Sequence, residues 1–523
     1  MNTTLPQSAF FLPPPSSENN GVDFLGLRQA NLDMMAALIP GTNNVTSYIR
    51  PFSLLGWIYW KFYGLCEQAG RDQPNSDDMR QFRERIEVLF TWGARLENTP
   101  GIPGKQAEPP SGGGAVPLTF KEWGRVQSST SLIAALWYGP ASKTASGLGF
   151  LEPFRGEFYR ATEKGVALAE ALDSVLRTNA DLYVRVLDTL APVTATEDDA
   201  RALWALWGVN SPTDDERQTF RDAVFDERSV GKYSNLLGQR SSTIALARLH
   251  LSRCAGPLRV DEVRQGMFSS TRLDGSTYEV PAALQPALRK WIVLQVRQLQ
   301  RLALESLLSW CERRVIDGLQ DSAGLTLEAE RLFRAEAFGV NPDDVLAQII
   351  SKLDAQVVSV DHFVARVRAD ALLSPFALMD EIQAAFKAKD ERFAAVSFYS
   401  LLLCASIAGC FSDSERATIA VGGASRLSLF HLRKRLTALG DVSLKQGIQF
   451  VLESMVLSQH FATAVNRFDG QNQRLRLSIE EIGLTSLAGK PWEPTVTADR
   501  LPTILELAGD CGLITSTGQG FHL

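Results

Sequence analysis

The strongest constraint on the fold is one helical pattern from about Ala283 to Ile316. Its large apolar residues, among them Leu288, Trp291, Ile292, Leu299, Leu307 and Trp310, recur at helical spacing but spread over a wide face. An ordinary surface helix carries one apolar stripe; a helix apolar over so much of its circumference is packed from several sides. The expectation is a mainly α-helical protein with this segment near its centre. Much of the chain repeats the pattern. Leu27, Leu32, Met35 and Ile39 share a helical face, the turn Pro40–Asn44 follows, and an aromatic helix carries Trp57, Ile58, Tyr59, Trp60, Phe62 and Tyr63. A third helix runs from Ser76, read as its N-cap, to Glu97, and further helices fill 176–420. Phe393–Phe411 lacks charge over nearly a membrane-spanning length, but it contains Ser397, Ser400 and Ser406 and has no second span beside it. It reads as a buried core helix.

At 523 residues the chain has room for roughly two to four domains. Its punctuation suggests six segments. Residues 1–22, with Pro13, Pro14 and Pro15, read as a flexible arm; 23–98 as an N-terminal helical domain; and 99–118, rich in Pro and Gly, as a linker. Residues 119–175 contain an expected helix from Phe120 to Trp137. Short strands follow at Gly149–Leu151 and Glu157–Arg160, then a helix capped by Thr162. That order resembles the wing of a winged-helix domain. A central helical domain covers 176–422. The last segment, 423–523, joins a helix at Ser443–Phe468, a strand in RLRLSIEE and a terminal strand–turn–strand that again looks like a wing. The fold class expected is thus a mainly α, multi-domain helical protein with two small winged-helix-like α/β elements.

Net charge is −6 and the isoelectric point about 5.6, which argues against a surface given over wholly to nucleic acid. A local basic patch remains. From Ala424 to Leu477 there are eight Lys or Arg against three Asp or Glu. Arg426, His431, Arg433, Lys434 and Arg435 form the better cluster, and Arg474 and Arg476 alternate with Leu475 and Leu477 on the expected strand. These are the candidate contacts to double-stranded DNA, since phosphate binding needs Lys or Arg. Their alternative is a solvated helix face. The helices preceding the two wings suit DNA poorly. SSTSLIAALWYG carries no basic residue, and the C-terminal one holds Asp499, Glu506 and Asp510 beside Arg500; Lys143, Arg155 and Arg160 lie around the first wing. The wings are therefore expected to serve structure or protein binding, with DNA contact as the alternative.

No catalytic residue is assigned. The six cysteines form no CxxC pair and the five histidines no HxxxH or HxH pair, so no metal site and no cofactor is expected. SGGGA lacks the GK[ST] of a phosphate loop, GLGF is not a full GxGxxG, and GxSxG and HExxH are absent. Asp198-Asp199, Asp214-Asp215 and Asp343-Asp344 precede helices, where first-turn charge accounts for them. If a divergent metal-dependent nuclease were hidden here, Glu279, Glu480, Glu481 and Lys490 would be its first suspects. Unpaired cysteines in apolar runs and the lack of a signal peptide point to a reducing, cytoplasmic setting without a membrane partner.

The segment LIPGTNNVTSYIRPFSLLGWIYWKFY, residues 38–63, resembles an N-terminal signature of uncharacterised bacterial proteins found in anti-phage defence gene neighbourhoods. The matching positions are Pro40, Gly41, Thr42, Thr46, Arg50, Trp57, Ile58 and Tyr59; Pro51 directly after Arg50 departs from the pattern. The resemblance covers about 40 of 523 residues and carries no catalytic residue across. It implies protein partners in a defence complex. The function expected is a non-enzymatic subunit that scaffolds or regulates a nuclease or ATPase, with a nuclease or a winged-helix DNA-binding regulator as the alternatives.

Overall fold

The computed structural model describes residues 23–71, 75–111, 114–144, 147–154, 158–225, 234–468 and 474–523, with the backbone alone at 234–238. The expected N-terminal arm, and Arg155 and Glu157 of the first wing, lie outside the described residues. Helix makes up 59% and strand 6%, so the protein is mainly α.

The helices follow in order as α1 (Arg28–Leu38), α2 (Arg50–Gln68), α3 (Ser76–Leu96), α4 (Glu163–Leu176), α5 (Glu197–Trp207), α6 (Asp214–Val224), α7 (Ser234–Ser252) and α8 (Val260–Ser269). After them come α9 (Gln285–Ile316), α10 (Ser322–Ala335), α11 (Leu346–Gln356), α12 (Pro375–Lys387), α13 (Arg392–Gly409), α14 (Leu429–Thr437), α15 (Leu444–Phe450), α16 (Ser458–Asn466) and α17 (Leu501–Asp510). A π-helical stretch, Val451–Leu457, joins α15 to α16. Side chains fix many of the starts. Asn75, rather than Ser76, caps α3, and Thr162 caps α4 by accepting from the Gly165 amide. Thr196 with Asp199 and Thr213 with Glu216 form capping boxes at α5 and α6, so the acidic pairs there serve helix starts.

Among the described residues there are four antiparallel two-stranded sheets: β1 (Val116–Pro117) with β4 (Thr194–Ala195), β2 (Leu151–Pro153) with β3 (Tyr159–Ala161), β5 (Leu477–Glu480) with β6 (Gly483–Ser486), and β7 (Thr515–Thr517) with β8 (Gly520–His522).

The chain divides into two compact units that do not follow the six segments expected from composition. One contains residues 35–288 and 498–523. Here α2 is buried on nearly every side and packs along α4, while Gly93 of α3 lets Trp204 of α5 approach so closely that a Cβ would lie 2.7 Å from its ring. The C-terminal segment belongs to this unit because Leu258 and Phe521 exchange both backbone bonds, at 2.8 Å each, and Arg264 of α8 grips Asp499 at 2.7 and 3.0 Å. The other unit contains, among the described residues, 23–34 and those of 289–497. Its core helix is α13, against which α10, α11, α12 and α14 pack. Arg392–Gly409 is long and apolar enough to cross a membrane, yet 89% of it is buried inside the protein.

The central helix α9 goes beyond its expected wide apolar face. Several of its polar residues are buried too, with partners in the same unit. Gln298 takes the Asn31 amide and donates to Thr497 O; Arg297 donates to the carbonyls of Arg426 and Leu427; Arg301 pairs with Glu305; Glu312 receives Arg476 and the Trp492 amide.

Three local expectations need correction. The helix expected at Phe120–Trp137 is replaced by short turns at Gln127–Thr130 and Tyr138–Ser142, because Gly124 takes a positive φ and breaks the pattern. The expected linker at 99–118 is packed: Ile102, Val116 and Leu118 are buried, β1 is paired, and Arg95 holds Ala107 O at 2.8 Å. The strand expected from Arg474 begins at Leu477.

Candidate functional site

The signature residues converge in the unit formed by 35–288 and 498–523. A helix ends with unpaired carbonyls, and α1 has its last ones taken by side chains. Thr243 donates to Leu38 O (2.7 Å), Arg500 to Ile39 O (3.1 Å) and Arg240 to Pro40 O (2.8 Å), with the two cations at the negative end of the helix. Gly41 has φ +82°, and a Cβ there would meet Gly147 O at 2.6 Å, so this turn requires glycine twice over. Thr46 is fully buried.

Arg50 opens α2. Its guanidinium donates to Leu206 O (2.8 Å) and Ser211 O, and pairs with Glu216 at 3.0 Å; both side chains are wholly buried. Glu216 also accepts from the Thr213 amide, as the third residue of its capping box. Asp510, the last residue of α17, accepts the Ile49 amide at 2.7 Å. Burial lowers the Arg50 pKa against the pull of Glu216 and Asp510, and burial pushes Asp510 up to about 6. On the next turns, Trp57 Nε1 donates to Asp173 at 2.8 Å, and Asp173 also accepts from Tyr183 and Arg177. Tyr59 is buried edge-on to Tyr159, its pKa pushed up to about 12 by burial. Most polar groups in this cluster face another one or a backbone partner; Thr46 Oγ1 and Arg50 Nε are buried without a hydrogen bond. Its chemistry is that of a keystone joining α2, α6, α17 and the loop at 206–211.

Most of the expected DNA contacts have partners within the other unit. Arg426 pairs with Asp33 (3.0 Å), and Arg433 grips Asp354 through two bonds of 2.7 and 2.9 Å. Arg435 lies over the Phe450 ring at 5.3 Å, His431 bonds to Ser428, and Arg476 pairs with buried Glu312 at 2.6 Å. Arg474 sits before β5 and is half-buried, and Lys434 is exposed. The nuclease suspects are divided between the units. Glu279 belongs to the first unit, while Glu480, Glu481 and Lys490 are exposed in the second, the two glutamates at a hairpin tip. Among the described residues no group of three or more His, Cys, Asp or Glu is placed to hold a metal ion. All six cysteines are free thiols.

Sequence reasoning did not single out the β5–β6 hairpin as a surface. Glu480 pairs with Gly483, so the loop is the dipeptide Glu481-Ile482, and the hairpin presents Ile479 (72% exposed), Ile482 (68%) and Leu487 (48%). The far edge of β6 is bonded to Gln320 O through the Leu484 amide (2.7 Å), while the far edge of β5 has no backbone partner among the described residues. Ile479 and Ile482 stand beside the two glutamates that drew attention, which is the signal that was available.

Compared with protein-family models, curated proteins and solved structures, the chain matches none.

Proposed function

We propose that this chain is a non-enzymatic, protein-binding subunit of a bacterial anti-phage defence assembly, working beside a nuclease or ATPase. The N-terminal resemblance supplies the setting. The observation that carries the binding role is the β5–β6 hairpin: two large aliphatic side chains, Ile479 and Ile482, held in solvent near the tip of a short, tight hairpin with one open edge. Exposed aliphatics clustered in this way mark contact surfaces, whereas single ones are ordinary.

The two wing-like elements fit the same role. In the second, α7, extended Leu258, α8, α17, β7 and β8 follow the order of a winged helix, with 270–500 inserted between α8 and α17. The helix in the recognition position, α17, has no Lys or Arg, carries Glu506 and Asp510, and is mostly buried. A groove-reading helix needs exposed donors and nearby cations. In the first element, Arg160 is paired with Glu152 and Lys143 lies over the Tyr159 ring. Wings used this way brace the unit.

The experiment is affinity purification of the full chain expressed with its native gene neighbours, beside an Ile479→Lys/Ile482→Lys variant. The expected result is stoichiometric co-purification of a neighbouring gene product and protection from phage, both lost in a variant that melts at the same temperature. A wild-type chain that purifies alone while protection persists in the variant would overturn the proposal.

A further inference from the structure

Burial pushes up the thiols of Cys66, Cys311, Cys404, Cys410 and Cys511, which makes them poor nucleophiles. Cys254 is built differently. It is partly exposed, just past the end of α7, between exposed Arg253 and Ala255. Its sulfur lies 3.8 Å from Nε2 of His250, which sits one helical turn earlier and is wholly buried. His250 Nδ1 is bonded to the Tyr278 hydroxyl at 3.0 Å, and that hydroxyl donates to Gly266 O at 3.2 Å. A carbonyl can only accept, so the tyrosine spends its proton there and takes a hydrogen bond from Nδ1. Nδ1 therefore carries the imidazole proton, and the Nε2 lone pair faces the Cys254 thiol. Gly266 makes room for the ring, since a Cβ there would lie 1.9 Å from Nε2. A thiol, a base and a third group that fixes the tautomer of the base form the arrangement that activates a sulfur nucleophile.

We propose that Cys254 is a redox modification site, a thiol activated by His250 and oxidised by small hydroperoxides. Neutral His250 takes the S–H proton. The thiolate attacks one peroxide oxygen, the S–O bond forms as the O–O bond breaks, and the electron pair leaves on hydroxide or alkoxide. The proton that His250 took returns through solvent to neutralise that anion. Thiol and hydroperoxide thus give sulfenic acid and water or alcohol. The imidazole is shielded, so the oxidant meets sulfur alone, and a small peroxide needs no other contact. The modification is stoichiometric and independent of the β5–β6 hairpin.

Oxidation of the reduced full chain by hydrogen peroxide at about pH 7 tests this, with the sulfenic acid trapped by dimedone and each cysteine followed by peptide mass spectrometry. Cys254 is expected to react at least about tenfold faster than glutathione in the same buffer, and Cys66 and Cys410 more slowly than glutathione. His250→Gln keeps a hydrogen-bonding group but cannot take the proton, and is expected to lower the Cys254 rate about tenfold. Tyr278→Phe, which no longer fixes the tautomer, is expected to lower it severalfold. Alkylation by iodoacetamide at about pH 10, where a thiol ionises unaided, reports exposure alone and is expected to be the same in all three proteins. A Cys254 rate no higher than that of glutathione, a rate unchanged in the variants, or parallel loss of oxidation and alkylation overturns the proposal and leaves the three residues as a packing contact. If His250→Gln fails to fold, Tyr278→Phe decides.

Discussion

Arg50 and Glu216 meet at 3.0 Å with both side chains fully withdrawn from solvent, and between them they tie the start of α2 to the first turn of α6. Two buried charges are tolerated because each has further partners: Leu206 O and Ser211 O for the arginine, the Thr213 amide for the glutamate. Removing one member strands the other. Arg50→Met is expected to cost about 3–5 kcal/mol, and the double variant Arg50→Met/Glu216→Leu less than the two single changes together. Urea unfolding of the four proteins measures this. Costs no larger than those of surface substitutions would show that the pair is not a keystone.

Asp510 gives the same cluster a pH dependence. Burial raises its carboxyl to about 6 from an unfolded value near 3.9. Between those two values the native state holds the proton and the unfolded chain does not. The stability that Asp510 contributes is therefore full below about pH 4 and is lost as pH rises through about 6. Asp510→Asn retains an oxygen for the Ile49 amide and has nothing to ionise. It is expected to be the more stable protein at pH 7.5, by about 1–2 kcal/mol, with the difference closing toward pH 4. Denaturation midpoints across that range check the sign; an advantage that grows on acidification would contradict it.

How legible this was in the sequence depended on how local the signal was. The wide face of α9, the burial of α13 and the Thr162 cap all follow from spacings within a few residues, and they were readable. The helix expected before Trp137 failed because Gly124 ends the pattern. The 99–118 segment was misjudged because its Pro and Gly content says nothing of Ile102 and Val116, which pack by contacts distant in sequence. The basic cluster was visible as composition, but the partners of Arg433 and Arg476, namely Asp354 and Glu312, lie 79 and 164 positions away, and no local pattern reveals them. The assembly of α7, α8 and α17 around the Leu258–Phe521 pair was hidden by the same distance.

Gly41 explains part of the N-terminal signature in backbone terms. Its φ of +82° is strained for an L residue, and a Cβ at 2.6 Å from Gly147 O has no flexible atom to push aside. Gly41→Ala is expected to destabilise the full chain by about 1–3 kcal/mol. Since the Pro40 carbonyl beside it receives Arg240, the change is also expected to loosen that clamp. Faster amide exchange at the end of α1 would report this. An alanine variant with wild-type melting temperature and exchange would show that the turn accepts a side chain.

Arg476 separates a structural reading of the basic segment from a DNA-binding one. Its guanidinium pairs with Glu312, which is wholly buried, and lies over the Phe24 ring at 5.2 Å. Burial already raises the Glu312 pKa, and Arg476 opposes that rise. Arg476→Ala is expected to cost about 3 kcal/mol by leaving a buried carboxylate without its cation. Arg433→Ala, which breaks a half-buried pair with Asp354, is expected to cost about 1 kcal/mol, and Lys434→Ala within about 0.5 kcal/mol. A side chain that touches phosphate would behave the other way: little change in stability, a uniform loss of duplex affinity, and a shallower salt dependence. Gel retardation of duplex DNA at several salt concentrations, run beside urea unfolding for the three variants, distinguishes the two. The arginines are expected to move stability and not DNA retention. If Lys434→Ala or Arg433→Ala instead lowers duplex affinity with stability unchanged, the segment is a DNA-binding face.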